Sequence, residues 1–245
     1  MKNLGKQLSS LKLTTRILIV ALIFWIIFLT HSVFSAHQVS NNADRKFNGE
    51  KHQYFAVDAN QKIDLPNFTG ISLNIPAELH WRPGNSSSCS VNQNLEGIFI
   101  GVKKDTVIVA NQSNFWQQKK LPKGIVIVCI SPSLAKTTIE GAGSMRLTQI
   151  NTEYLQAVIN GAGELVANGS AAELNGAING TGTMQLRDLN IQLAQLEING
   201  MGEFIVPKAK QVDVEINGMG SVKISASTET VGKDINGMGS IDIID

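Results

Sequence analysis

Ile198-Asn199-Gly200-Met201-Gly202, Ile216-Asn217-Gly218-Met219-Gly220 and Ile235-Asn236-Gly237-Met238-Gly239 are three copies of one phrase. Ile139-Glu140-Gly141-Ala142-Gly143, Ile159-Asn160-Gly161-Ala162-Gly163 and Ile178-Asn179-Gly180-Thr181-Gly182 are three more, and successive copies start 20, 19, 20, 18 and 19 residues apart. A period near twenty is either one turn of a stacked repeat or one β-hairpin, and Asn-Gly is itself the strongest short hairpin signal. Parity separates the two. A two-residue hairpin at Asn-Gly would set Leu196 across from Glu203, Val214 from Ser221 and Val212 from Lys223, which scrambles the apolar face. A chain that runs through the phrase in one extended phase instead puts Val212, Val214, Ile216, Gly218, Gly220, Val222 and Ile224 on one side. Leu196, Ile198, Gly200, Gly202, Phe204 and Val206 then share a side in the same way. The expected fold is all-β, a right-handed parallel β-solenoid (β-helix) with repeats of about nineteen residues, preceded by one N-terminal transmembrane or signal helix. Antiparallel sandwich or propeller packing is the alternative.

The repeat defines three columns of candidate positions. Gly141 and Gly143, Gly161 and Gly163, Gly180 and Gly182, Gly200 and Gly202, Gly218 and Gly220, and Gly237 and Gly239 are read as structural, since a missing side chain lets the backbone bend or lets repeats approach closely. Asn160, Asn179, Asn199, Asn217 and Asn236 should stack in register as a carboxamide ladder, either structural or ligand-binding. Ala142, Ala162, Thr181, Met201, Met219 and Met238 lie opposite the core. Exposed, Met201, Met219 and Met238 would form an apolar strip for a partner, and covered they would be packed by another strand or a neighbouring chain. Asn168-Gly169-Ser170 and Pro207-Lys208 read as turns between phrases.

The repeated Ile-x-Gly-x-Gly phrases, with Pro66-Asn67-Phe68-Thr69-Gly70-Ile71-Ser72-Leu73-Asn74-Ile75-Pro76-Ala77-Glu78-Leu79 upstream, resemble the head GIN domain family of auto-transporter adhesins, exported bacterial proteins. The resemblance runs from about Ile63 to Asp245 and implies a β-helical domain with a surface binding role. The chain departs from it in using Asn where many relatives carry Ser before the first glycine, and in its cysteine pair.

Outside the repeats, Ile17 to Leu29 reads ILIVALIFWIIFL, and the apolar bias extends over residues 17–36. Lys2, Lys6, Lys12 and Arg16 precede this stretch, and Asp44 is the first acidic residue. The pattern fits an uncleaved membrane anchor or a cleaved signal peptide, with the amino terminus in the cytoplasm and the rest outside it. The chain is thus anchored in the inner membrane with its domain in the extracytoplasmic space, or secreted. The expected organisation is 1–36 as basic tip and apolar segment, 37–60 as polar linker and 61–245 as the β domain, with the six phrases in 133–245. In an oxidising compartment Cys89 and Cys129, each in an alternating stretch, are read as one disulfide or as two separately buried thiols.

Twenty-one Lys and Arg against twenty Asp and Glu leave no field for nucleic acid. His31, His37, His52 and His80 all precede the repeats, so no histidine cluster is available for catalysis. The position after the second glycine is Ser144, Glu164, Thr183, Glu203, Ser221 and Ser240, too irregular for a stack of calcium ligands, and no cofactor or metal is expected. Glu164 and Glu203 share that column two repeats apart, about 9.6 Å at strand spacing, which keeps a polysaccharide-active enzyme as the alternative. The leading expectation is binding, adhesion or envelope scaffolding, without catalysis. Its partners would be the membrane through residues 17–36, an unknown protein or glycan, and a possible second copy of the chain.

Overall fold

The computed structural model describes residues 42–47, 50–57, 62–111, 121–206 and 209–244. The chain divides into units of Met1–Ala43 and Asp44–Asp245, and the architecture below is that of the second, apart from Asn42 and Ala43 at the start of its first strand. Its strands are β1 (Asn42–Phe47), β2 (Glu50–Val57), β3 (Lys62–Asp64), β4 (Gly70–Asn74), β5 (Glu78–Pro83), β6 (Ser88–Val91), β7 (Leu95–Lys103) and β8 (Thr106–Asn111). There follow β9 (Val126–Ser131), β10 (Lys136–Gly180), β11 (Thr183–Gly200), β12 (Glu203–Val206), β13 (Gln211–Gly218), β14 (Ser221–Ser225), β15 (Thr230–Gly237) and β16 (Ser240–Ile244).

In the repeats, alternation of apolar and polar residues produces parallel strands stacked phrase on phrase. Ile178, Asn179 and Gly180 of β10 lie beside Ile198, Asn199 and Gly200 of β11, which lie beside Ile216, Asn217 and Gly218 of β13, and these beside Ile235, Asn236 and Gly237 of β15. Past the phrase the same order continues, with Thr183 beside Glu203, Glu203 beside Ser221 and Ser221 beside Ser240. The inward residues Ile178, Ile198, Ile216, Phe204, Val222 and Ile224 are fully buried. Full burial of such a side chain is worth roughly 1.5–3 kcal/mol, so one column sums to more than any surface contact on the repeat.

The two glycines of a phrase do different things. A Cβ on the second would enter the isoleucine of the preceding phrase, 2.7 Å from Ile178 Cγ2 at Gly202 and 2.7 Å from Ile198 Cγ2 at Gly220. The first glycine has positive φ, 134° at Gly200 and 141° at Gly218. A Cβ there would strike the carbonyl oxygen of the first glycine one repeat earlier, Gly180 and Gly200 respectively. The backbone ladder nevertheless runs through the phrase. Met201 N–H donates to Gly180 O at 2.8 Å and Met219 N–H to Gly200 O at 2.8 Å, followed by Glu203 N–H to Gly182 O and Ser221 N–H to Gly202 O, both at 2.9 Å. None of the asparagines has the positive φ that a type I′ hairpin would demand, since the described non-glycine residues with positive φ are Lys104, Asp105 and Gln149.

Upstream of the repeats the architecture changes, and the expected right-handed parallel β-solenoid is corrected for the domain as a whole. The sixteen strands form one mixed sheet that is not a closed solenoid. β2 pairs β7, β7 pairs β8, β3 pairs β6 and β6 pairs β9, all antiparallel. The physical reason is local. Between Lys62 and Ser131 no copy of the phrase occurs, and β7 and β8 are joined by Lys104 (φ 44°) and Asp105 (φ 63°) in the left-handed conformation that reverses a strand tightly. Cys89 of β6 lies directly opposite Cys129 of β9, and the two are disulfide-bonded with Cα atoms 4.1 Å apart. The bond spans 40 residues of sequence, a loop whose closure is worth about 4 kcal/mol against the unfolded chain. The antiparallel and parallel parts meet where β10 pairs β4 through Ile139 beside Leu73 and β5 through Ser144 beside Glu78, so that the first phrase lies on Asn74-Ile75-Pro76-Ala77.

The expected N-terminal helix in residues 17–36 lies outside the described residues, and among those that are described no helix is long and apolar enough to cross a membrane.

Gly218→Val should lower stability by about 2 kcal/mol or more, because it meets both a backbone carbonyl and a disfavoured φ. Asn217→Val, which only removes side-chain hydrogen bonds, should cost about 1 kcal/mol. Denaturant midpoints of the two variants check this, and equal losses would contradict the backbone contact.

Candidate binding face

The outward side of the repeats is organised as parallel columns, because one-repeat register places like residue on like residue. The asparagines form a continuous chain of hydrogen bonds. Asn236 Nδ2 donates to Asn217 Oδ1 at 3.2 Å, Asn217 to Asn199 at 3.1 Å, Asn199 to Asn179 at 2.9 Å and Asn179 to Asn160 at 2.9 Å. Asn160 Nδ2 ends the chain on Glu140 Oε1, also at 2.9 Å. Every amide points the same way, so the dipoles align and polarise one another, with the Glu140 carboxylate at the accepting end.

The second amide proton of the later asparagines reaches a carboxylate two residues back on the same face of the strand. Asn199 donates to Glu197 at 2.7 Å, Asn217 to Glu215 at 2.9 Å and Asn236 to Asp234 at 3.4 Å. Those three acids are themselves in register, and the amides offset the mutual repulsion of like charges stacked at strand spacing. They were not singled out from the sequence, although the signal was present as an acid two residues before each of the last three asparagines. Beside them opens a cleft of about 420 Å³ lined by Gln195, Glu197, Asp213, Glu215 and Asp234 among others. Among the described residues no three His, Cys, Asp or Glu side chains converge as a metal site.

On the other side of the ladder stand the methionines. Met201, Met219 and Met238 are 53%, 52% and 79% exposed, one above another, in the column begun by the exposed Ala142, Ala162 and Thr181. Next to them Glu164 and Glu203 do share a column two repeats apart, with Thr183 between. Each is engaged by a neighbour: Gln185 Nε2 donates to Glu164 at 2.7 Å, and Lys223 Nζ lies 2.6 Å from Glu203. His80, the histidine nearest the repeats, bonds Glu78 at 2.7 Å on β5 and meets neither glutamate.

Fold and face together define an all-β repeat domain that displays a continuous amide ladder flanked by carboxylates and an exposed methionine strip. The chain belongs to the family described as "Putative auto-transporter adhesin, head GIN domain", whose model matches residues 67–228. Among solved structures, an adhesin-like protein from Bacteroides fragilis, described as a "putative adhesin", superposes with a TM-score of 0.62 at 16% identity, over 80% of this chain and 98% of that one. A "putative adhesin" from Parabacteroides merdae gives a TM-score of 0.45 at 16% identity, over 83% and 100% of the two chains. A "Putative lipid binding protein" from Parabacteroides distasonis gives 0.41 at 17%, over 81% and 98%. No curated protein matches the chain. The family description names an adhesin and not an enzyme.

Asn199→Ala removes a link in the middle of the ladder and should cost about 1 kcal/mol, whereas Asn236→Ala, which removes only a terminal link, should cost roughly half of that. Thermal or denaturant unfolding of the two variants measures the difference. A terminal substitution as costly as the interior one would contradict a ladder that acts as a connected unit.

Proposed function

We propose that the protein is an extracytoplasmic binding module, tethered to the membrane through residues 17–36 or secreted, that adheres to a protein or glycan surface through the outward face of its repeats and performs no catalysis. The observation that carries this reading is the exposure of Met201, Met219 and Met238 in one register column, at 52% or more each, beside inward columns that are buried in the interior repeats. Methionine is unbranched and polarisable, so a row of three adapts to an apolar partner without needing one fixed shape. The aligned carboxamides beside it spend their N–H groups on one another and on carboxylates, which leaves oxygen lone pairs facing outward. A partner would therefore bring hydroxyl or amide donors to the ladder and apolar surface to the strip.

The family description supports an adhesive role, as does the description of the Bacteroides fragilis protein. The basic residues that precede the apolar segment support an extracytoplasmic location. A polysaccharide-active enzyme would need Glu164 and Glu203 free to act on substrate, and their engagement by Gln185 and Lys223 argues against it.

Replacing Met201, Met219 and Met238 together by Ser should change stability by less than about 0.5 kcal/mol per site, because the side chains are exposed. It should weaken retention on isolated cell envelopes and on any glycan-array ligand of the wild-type chain at least tenfold. Binding equal to wild type by a variant of unchanged melting temperature would overturn the assignment of the strip.

A further inference from the structure

Inward columns that are sealed within the repeats lie open at the edge formed by β15 and β16. Ile216 is fully buried while Ile235, beside it in register, is 39% exposed, and Ile224 is fully buried while Ile243 is 54% exposed. Among the described residues β15 pairs only with β13 and β16 only with β14. Among the described residues, the far sides of both strands therefore combine backbone groups that pair with no strand and an apolar layer, which is a template for strand addition by another chain.

One residue interrupts that layer. The column that holds Leu196 on β11 and Val214 on β13, 2% and 4% exposed, continues on β15 as the exposed Lys233. Lys233 takes part in none of the ion pairs among the described residues, which join Lys62 to Asp64, His80 to Glu78 and Lys223 to Glu203. A strand laid on β15 would bury the ammonium group, and a buried charge is tolerated only with a carboxylate against it. A second copy that adds through this same edge cannot supply one. In any pairing that keeps both apolar faces on the same side, inward residues meet inward residues, and those of the two edge strands are Val231, Lys233, Ile235, Ile241 and Ile243, none of them acidic. Asp234 and Asp242 point to the opposite face, because adjacent side chains alternate.

We propose that Lys233 guards the β15–β16 edge against addition of a second copy of this chain. The edge is apolar enough to pair, and an inward-pointing charge at the core column keeps it from doing so.

Sedimentation velocity of the full chain over a hundredfold range of concentration tests the proposal. Lys233→Val should show a mass that rises with concentration, with self-association at least tenfold tighter than in wild type. Lys233→Glu, which still buries a charge, should behave as wild type, as should Lys223→Val, which changes a lysine on the outward face of β14. Lys233→Thr provides a second uncharged variant should the valine chain fail to fold. Adding Ile243→Glu to Lys233→Val should abolish the association. The proposal is overturned by Lys233→Val and Lys233→Thr that associate no more than wild type, by Lys233→Glu associating as readily as the uncharged variants, or by association that persists with Ile243→Glu present.

Discussion

Five times in the repeats the backbone of one first glycine passes so close to the carbonyl of the same glycine one repeat earlier that only a hydrogen fits between them, at Gly161, Gly180, Gly200, Gly218 and Gly237. Everything else on the repeats inherits its register from that contact. A side chain at any of these positions would hold neighbouring phrases apart, and the N–H groups of Thr181, Met201, Met219 and Met238 would lose the carbonyls they now reach at 2.7 to 2.9 Å. With the phrases held at strand spacing, the isoleucines stack inward, the second glycines leave them room, and the asparagines come within hydrogen-bonding distance outside. The ladder is a consequence of the packing and also reinforces it, since each carboxamide is satisfied only when its neighbour is in register.

The repeat half of this architecture was legible because parity and period are properties of the chain alone. Val212, Val214, Ile216, Val222 and Ile224 alternate without a break across the phrase, and that favours extended passage over reversal. The mixed sheet upstream was not legible for the opposite reason. Lys104 and Asp105 adopt a turn that glycine and asparagine normally announce, so the reversal between β7 and β8 leaves no mark in composition. Gln149 likewise takes positive φ (55°), and its N–H is met by Asn168 Oδ1 at 2.7 Å, a side chain from the next repeat. Tertiary partners stabilise such turns, and a local reading does not see those partners. Within the candidate site, the columns of asparagine and methionine followed from the period, whereas Glu197, Glu215 and Asp234 were passed over because they are acidic residues on a strand that looks merely solvated.

The face and the edge of the domain obey opposite rules. On the face, repetition multiplies weak features: one exposed methionine is ordinary, but three in register make a strip, and one Asn-to-carboxylate bond is minor, but a chain of them fixes a surface. At the edge, repetition is a hazard, since a column that continued as leucine or valine would offer the next chain the same packing that joins the repeats. Lys233 interrupts one column there, while the outward columns continue through Asn236 and Met238 without change.

Trans-hydrogen-bond scalar coupling, recorded by nuclear magnetic resonance between amide nitrogens and carbonyl carbons, tests the stacked register most directly. Coupling from the Met219 nitrogen to the Gly200 carbonyl carbon, and from Met201 to Gly180, is the predicted result, each joining one phrase to the phrase before it. Coupling within a single phrase instead, from Met219 back to Ile216 across a turn at Asn217 and Gly218, would contradict it.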